Sequence, residues 1–268
     1  MRLPVFLAAF AAALFAASPA AADRFALRYE GRALGLLHIG DIAVDVDVSA
    51  DTYEITTSLR SRGLLDWFEP TDLNAFAAGV ISEGQVRWRQ YDLDHRYSGK
   101  ERSIALRAGA DGAVNAMIEP VFSSWGRPPA SADQQRISRD PLSSIVAMAI
   151  DVGQSRRCAG AYPTFDGRFH YVLELSGGAL DAFEGGGYEG EVLKCTLAYR
   201  AVAGFEDGDN GRRRVPRGEV WFGLAPNSRF APPVRINLPI SAGGASVRLS
   251  SFNRAIVDVV DDGGETAQ

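Results

Sequence analysis

The sequence predicts a mainly β protein, in which a large curved antiparallel sheet or open barrel wraps around one short α-helix. Three observations support this fold class. Apolar and polar residues alternate along most of the chain, turn-forming residues separate the alternating runs, and only residues 140–151 show helical spacing. Alternation places successive side chains on opposite faces of a strand, whereas helical spacing repeats about every three or four residues.

Residues 1–22 resemble a secretory signal peptide. The basic Arg2 precedes an apolar run, and small residues lead to a predicted cut after Ala22. The uninterrupted apolar stretch 5–17 is shorter than the roughly 20 residues that a membrane-spanning helix needs. We therefore expect an exported, periplasmic protein whose mature chain has no transmembrane segment.

The clearest strand is 42–48, where Ile42, Val44, Val46 and Val48 share one face and aspartates occupy the other. One face of this strand should be buried and the other should meet water. The same pattern predicts further strands at 24–29, 53–61, 74–81, 85–92, 96–99, 103–108, 114–118, 169–176, 188–201, 217–224, 234–238 and 245–257.

The helical segment follows Asp140-Pro141. The carboxylate of Asp140 can cap the first turn, and proline suits the first helical position because no backbone donor is needed there. Apolar residues then recur at helical spacing, which predicts a buried stripe on the concave face of the sheet. The predicted core residues of this helix are Leu142, Ile145, Val146, Ala149 and Ile150. Residues 123–135 are interpreted as the linker that leads to it.

The two cysteines, Cys158 and Cys195, are expected to form a disulfide. Disulfides persist in oxidising compartments, and an isolated pair in an exported chain is more often a structural crosslink than a metal site or a nucleophile. This bridge would tie the chain just after the helix to a later strand.

No catalytic or metal site emerges from the motifs. Nucleophile motifs are missing, the three histidines lack zinc spacing, and no cofactor is expected. Residues 185–190 match a dinucleotide-binding pattern, but a strand rather than a helix follows them. The chain is acidic, with 28 Lys and Arg against 33 Asp and Glu, so non-specific binding to nucleic acid or to anionic membranes is disfavoured. The one acid–base candidate is His95, with Asp92 and Asp94 expected to favour its charged form.

One connector is unusually apolar. Leu64, Leu65, Trp67 and Phe68 crowd a short segment between a glycine and a proline. Such residues either cover an edge of the core or form a contact surface for lipid or a protein partner. These four residues are the candidate apolar contact site.

The domain organisation is expected to be simple. Residues 23–259 should form a single β-rich domain, because no long break in composition interrupts them, and residues 260–268 should form a flexible acidic tail.

Several short motifs occur in a familiar order along the chain. They are Tyr29-Glu30-Gly31, Leu34-Gly35, Arg62-Gly63-Leu64-Leu65, Asp140-Pro141-Leu142-Ser143-Ser144, Phe165-Asp166-Gly167-Arg168 before Tyr171, Tyr188-x-Gly190 before Cys195, Gly204-Phe205, Val220-Trp221-Phe222 and Pro233-Val234-Arg235-Ile236. In these motifs the chain resembles the exported bacterial domain-of-unknown-function family 3108. The resemblance implies a periplasmic protein with no assigned enzymatic activity and no active-site residues to transfer.

The leading functional hypothesis is a non-catalytic protein that binds an apolar envelope component, a lipid or lipoprotein, or an envelope protein partner. Its inferred architecture is similar to that of periplasmic lipoprotein carriers and of envelope-integrity proteins built as strand spirals, which is an analogy of fold alone. Two alternatives stay open. An enzyme acting on envelope polymers requires a polar cleft with clustered carboxylates and a histidine. A structural scaffold requires a filled interior and an exposed apolar patch on the outside.

Overall fold

The computed structural model describes residues 21–63, 66, 69–209, 213–239 and 244–258. The predicted tail 260–268 and residues 1–20 of the predicted signal peptide lie outside this range. The strands are β1 Ala21–Ala33, β2 Leu37–Val48, β3 Thr52–Ser61, β4 Thr71–Ser82, β5 Gln85–Tyr97, β6 Lys100–Ala108, β7 Val114–Glu119, β8 Gly160–Phe165, β9 His170–Gly185, β10 Tyr188–Ala203, β11 Gly218–Gly223, β12 Pro233–Leu238 and β13 Ala245–Asp258. The helices are α1 Ala132–Arg136 and α2 Pro141–Ser155.

The strands form one antiparallel sheet with the order β7-β6-β5-β4-β3-β2-β1-β13-β12-β11-β10-β9-β8. Consecutive strands are therefore neighbours throughout two meanders, and the pairing of β1 with β13 joins the meanders. The sheet is not closed by hydrogen bonds, because β7 and β8 are its two outer strands. This confirms the predicted open, curved antiparallel sheet.

Side chains close the seam between the two ends of the sheet. A β-carbon placed on Gly167, in the turn between β8 and β9, would lie 3.0 Å from a methyl carbon of Ile104 in β6 and 3.5 Å from one of Ile118 in β7. Arg139 pairs with Thr164 of β8, and its side chain donates a hydrogen bond of 3.0 Å to the carbonyl of Val86 in β5. The sheet is thus barrel-like, with a packed rather than a hydrogen-bonded seam.

Helix α2 lies inside the sheet, against β4, β5 and β8. Asp140 caps it as predicted, with its carboxylate accepting a hydrogen bond of 2.9 Å from the backbone N–H of Ser143. Four of the predicted core residues, Leu142, Val146, Ala149 and Ile150, are buried. The fifth, Ile145, is half-buried and still packs against the core. One buried helix inside a curved sheet confirms the predicted fold class.

Several elements differ from the prediction. Strand β8 was not among the predicted strands, and β9 continues to Gly185 instead of ending at residue 176. The strands predicted at 85–92 and 96–99 are one continuous strand, β5. The segment interpreted as a linker contains α1, whose N-cap Ser131 and third residue Gln134 form a capping box. Elsewhere in that segment, the backbone N–H of Arg127 donates to the carbonyl of the buried Phe205 at 2.9 Å, and Ala130 packs against the core. No helix among the described residues is long and apolar enough to cross a membrane.

Candidate functional site

The inner face of the sheet is built from rows of residues that face one another across neighbouring strands. The basal row consists of Val48, Tyr53, Gly79 and Trp88. The second row consists of Phe25, Val46, Ile55, Ala77, Tyr91 and Leu106. All members of these two rows are buried. The helix covers this end of the molecule, which we call the plug end.

The rows of the inner face that lie farther from the helix are still mostly apolar, but their side chains are more exposed. The third row consists of Leu27, Val44, Thr57, Ala75, Leu93 and Ile104. The top row consists of Tyr29, Ile42, Leu59, Leu73 and His95. Val44 and Leu93 in the third row are half-buried, and so is every member of the top row except Tyr29. We call this end the open end.

The inner faces of β9 and β10 also carry half-buried apolar residues. Leu173 and Leu197 pack against the core, and Tyr171 and Tyr199 stack with ring centroids 4.9 Å apart. Tyr171 and Leu173 lie opposite Thr164 and Tyr162 of β8, which bond to the helix, so this part of the wall lies beside α2. The half-buried members of the third and top rows, with Ile236 and Val247, form the less buried apolar part of the inner face that we call the cup.

A polar network fastens the start of the helix beneath the cup. The hydroxyls of Tyr53 and Ser143 lie 2.6 Å apart, and the hydroxyl of Ser143 donates to the carboxylate of Asp140. Burial raises the pKa of Asp140 to about 6, because desolvation outweighs the hydrogen bonds from Ser143. The hydroxyls of Ser144 and Thr164 lie 2.8 Å apart and attach the helix to β8.

Titratable groups also lie on the inner wall beside the helix cap. Burial raises the pKa of Tyr171 well above its usual value, and the carboxylate of Asp166 adds to this effect. Asp166 is held by backbone N–H groups of Arg168 and Phe169 at 2.9 and 2.7 Å. Tyr171 therefore stays neutral at physiological pH and contributes a hydroxyl to an otherwise apolar wall.

The two cysteines connect the chain just after α2 to strand β10. Cys158, three residues after α2 ends, is joined by a disulfide to Cys195 of β10, with the Cα atoms 5.4 Å apart. Both residues are buried. The bridge links the end of the helical segment directly to the wall of the sheet.

The four residues of the predicted apolar contact site, Leu64, Leu65, Trp67 and Phe68, lie outside the described residues. The ends of their connector are described. Ser61 lies one inner-face position above Leu59 of the top row, its hydroxyl donates to Asp66 at 2.7 Å, and it accepts the N–H of Thr71 at 2.8 Å. The connector between β3 and β4 thus begins and ends at the open end.

The structure separates the candidate acid–base residues. Asp92 and Asp94 point to the outer face of β5, where Asp92 pairs with Arg107 at 2.8 Å. His95 points to the inner face and stacks on Tyr97, with ring centroids 4.7 Å apart. Burial lowers the pKa of His95, so the expectation that the aspartates favour its charged form is wrong.

The aspartates of β2 form ion pairs on the outer face. Asp45 pairs with Arg28 at 3.1 Å, and Asp47 pairs with Arg24 at 2.6 Å. Within the described ranges, no three His, Cys, Asp or Glu side chains are grouped so that they could hold a metal ion. Residues 186 and 187 of the dinucleotide-like pattern form the turn between β9 and β10.

Sequence reasoning did not identify Tyr53, Tyr171 and Tyr199 as inner-face residues. Each follows the two-residue alternation of its own strand, so the signal was present. Their contacts with the helix cap and with one another depend on pairing between distant strands, which a single sequence does not specify.

Comparison with known structures identifies a protein with a similar fold. The crystal structure of a beta-barrel-like protein of domain of unknown function DUF1849 from Brucella abortus aligns with a TM-score of 0.53 at 11% sequence identity. The alignment covers 90% of this chain and 100% of that chain. At this identity the similarity concerns the fold alone.

This chain has a β-barrel-like fold shared with a bacterial domain of unknown function. No protein-family model and no curated protein matches the sequence. The resemblance to family 3108 therefore receives no support from these comparisons.

Proposed function

We propose that this chain is a non-catalytic binding protein that holds an apolar component of the cell envelope, such as a lipid acyl chain, in the cup. The observation that carries the proposal is the change in burial along the inner face. The rows nearest α2 are buried, whereas apolar members of the top row, such as Ile42 and Leu73, are half-buried. Apolar side chains that line a concave surface are typical of ligand sites.

The polar groups at the cup fit an amphipathic ligand. Leucine, isoleucine and valine side chains would contact the acyl chain, and the imidazole of His95 would contact its polar end. The arrangement needs no catalytic group. The enzyme alternative rests on a separate polar cleft of about 480 Å³, which is lined by Asp72, Asp94, His95, Glu101 and Glu119; within it, Asp94 and His95 extend from opposite faces of β5.

The proposal includes the connector between β3 and β4. Its anchored ends, at Ser61 and Thr71, border the cup. We therefore propose that Leu64, Leu65, Trp67 and Phe68 contact the ligand or an envelope protein partner at the mouth of the cup. Replacing them with serine should weaken ligand binding more than it lowers stability.

The compartment is part of the same proposal. An exported protein, cut after Ala22 and released into the periplasm, is compatible with the disulfide. Asp23 would then be the first residue, and its carboxylate is held by Arg254 at 2.7 Å and by the hydroxyl of Ser228 at 2.9 Å. Intact mass analysis of the protein from the periplasmic fraction tests this, with Asp23 as the expected N-terminus.

Binding is tested by titrating the purified protein with dansyl-aminoundecanoic acid, whose emission rises in an apolar site. The double variant Leu73→Gln and Leu93→Gln should weaken binding about tenfold or more, since each leucine contributes roughly 1 kcal/mol of apolar contact. The control is Met117→Gln with Val121→Gln, two residues that are 70% and 62% exposed elsewhere on the molecule. Its affinity should change less than about twofold.

Two results would overturn the proposal. One is no change in emission with the unmodified protein. The other is an equal loss in the cup and control variants when both keep the same unfolding midpoint. Mass spectrometry of lipids that co-purify with the native protein provides an independent readout, because a bound lipid is expected and a bound peptide would favour the protein-partner alternative.

A further inference from the structure

The turn between β1 and β2 presents apolar side chains to solvent at the open end. Leu34, Leu36 and Leu37 are 47%, 84% and 44% exposed. A leucine this exposed makes little contribution to the stability of its own fold. Three of them on one short turn form a small apolar surface beside the mouth of the cup.

A groove of about 540 Å³ begins at this turn and runs along the outer face of β11, β12 and β13. Gly35 of the turn lines one end, and Arg217, Asn237 and Arg248 line the rest together with Glu219. The backbone N–H of Leu34 donates to the carbonyl of Gly244 at 2.9 Å, which attaches the leucine turn to the groove. The apolar surface and the groove are therefore one continuous region.

The groove contains positive charge that the protein does not neutralise. Arg217 and Arg248 are exposed, and neither has an acidic partner within ion-pair distance in the described part of the chain. Arg248 lies directly opposite Arg235 in the pairing of β12 with β13. Burial and the nearby charge of Arg248 lower the pKa of Arg235. Like charges placed opposite each other destabilise a sheet unless an anion lies between them.

The neighbouring carboxylates are already engaged. Glu219 accepts hydrogen bonds from the indole N–H of Trp221 at 2.6 Å and from the amide of Asn237 at 3.3 Å. Glu30, which faces Arg248 across β1 and β13, pairs with Arg32 at 2.7 Å. Glu219 keeps its charge, because its donors are neutral, so the groove lining carries two arginines against one carboxylate. The groove therefore has a net positive charge next to an exposed apolar turn.

We propose that this region docks the protein on a membrane surface that contains anionic phospholipid. The leucines of the turn enter the interfacial layer, and Arg217 and Arg248 contact lipid phosphates. The net charge of the whole chain is −5, but charges more than about 10 Å from the surface are largely screened at physiological ionic strength, so the local charge decides the encounter. The inference goes beyond the proposed function, since it holds whatever the cup contains.

The test is co-sedimentation of the purified protein with vesicles of phosphatidylcholine alone or with phosphatidylglycerol added. The wild type should bind the anionic vesicles and release in high salt. Arg217→Glu with Arg248→Glu should raise the lipid concentration for half-maximal binding about tenfold or more. Leu36→Ser should raise it several-fold, because the apolar contact with the interface is reduced.

The matched control variants carry the same types of substitution at exposed positions outside the groove and the leucine turn. Arg87→Glu with Arg89→Glu alters two exposed arginines of β5, and Leu180→Ser alters a leucine of β9 that is 57% exposed. Both controls should bind within about twofold of wild type. Equal binding to both vesicle types, no binding to either, or an equal loss in the control pair would overturn the docking proposal.

The docking proposal and the cup proposal can fail separately. Variants of the groove should keep their affinity for the dansyl fatty acid, and Leu73→Gln with Leu93→Gln should keep binding to anionic vesicles. Because the groove variants carry their substitutions on exposed side chains, and Arg248→Glu removes the repulsion with Arg235, the unfolding midpoint is not expected to fall. A midpoint at or above that of the wild type shows that a loss of vesicle binding is not a loss of fold.

Discussion

The plug end and the open end are built from the same strands and follow the same alternation, yet they differ in what covers their inner face. At the plug end, α2 lies on the inner face and residues such as Val46 and Ile55 are only 2% exposed. At the open end, Ile42 and Leu73 continue the same apolar pattern but are half-buried. Alternation therefore reports which face points inward, and the position of the helix decides how deeply that face is buried.

The largest expected effect comes from truncating one isoleucine to alanine at the plug end and comparing it with the same truncation at the open end. Ile150→Ala, in the part of α2 that is fully buried, should lower the free energy of unfolding by about 4 kcal/mol, because it leaves a cavity in a packed core. Ile42→Ala in the half-buried top row should lower it by only about 1 kcal/mol. Urea denaturation followed by tryptophan fluorescence measures both. Equal losses would mean that the two ends are packed alike.

The next largest effect is expected from removing the disulfide that joins the chain just after α2 to β10. Replacing Cys158 and Cys195 together with alanine should lower the free energy of unfolding by roughly 3–4 kcal/mol, since a loop closed over 37 positions is released in the unfolded chain. Chemical denaturation of the oxidised wild type and the double variant gives the difference. Labelling of two thiols in the freshly isolated wild type would show instead that the bridge does not form.

A third prediction uses the pH dependence of the plug end. Burial raises the pKa of Asp140 from about 3.8 to about 6, so the folded state binds this proton more tightly than the unfolded state. Stability from this group is greatest below about pH 4 and is lost as pH rises through about 6. The change amounts to about 2–3 kcal/mol.

Asp140→Asn should remove this part of the pH dependence, because asparagine also accepts the hydrogen bond that caps the helix. Unfolding free energies measured between pH 4 and 7 should fall less steeply in the variant than in the wild type. Parallel curves for the two proteins would contradict a buried, ionisable cap.

The smallest effect is expected at the open end, where the charged groups are exposed. The guanidinium of Arg62 holds the pKa of Asp41 below its usual value, at an ion-pair distance of 2.7 Å. The pH dependence of stability that arises from Asp41 is therefore opposite to that from Asp140. The stabilisation from Asp41 is present above about pH 4 and is lost as pH falls. Because both side chains are about half exposed, Asp41→Asn should change stability by no more than about 0.5 kcal/mol. A larger change, measured by chemical denaturation, would show that the Asp41–Arg62 pair stabilises the open end more than an exposed ion pair should.

The parts of the fold that follow local rules were predictable from the sequence. Ile42, Val44, Val46 and Val48 do share the inner face, and Asp140 does cap the helix. In these segments the period of two and the capping residue act within a few positions of one another. No knowledge of distant contacts is needed for either prediction.

The elements that were missed have physical reasons. The strand Gly160–Phe165 was not predicted; it contains Pro163, and β8 is an outer strand, where a residue without an N–H is tolerated. Helix α1 spans only five residues, so its capping box was the sole local signal. His95 and Asp94 are neighbours in sequence and therefore lie on opposite faces of a strand, which removes them as a catalytic pair.

The cup is the central claim, and crystals of the protein grown with a brominated fatty acid test it most directly. The account predicts an anomalous bromine signal on the inner face, within van der Waals contact of Ile42, Leu73 or Leu93. Bromine found only on the outer face, or an inner face filled by protein side chains with no bound acyl chain, would contradict it.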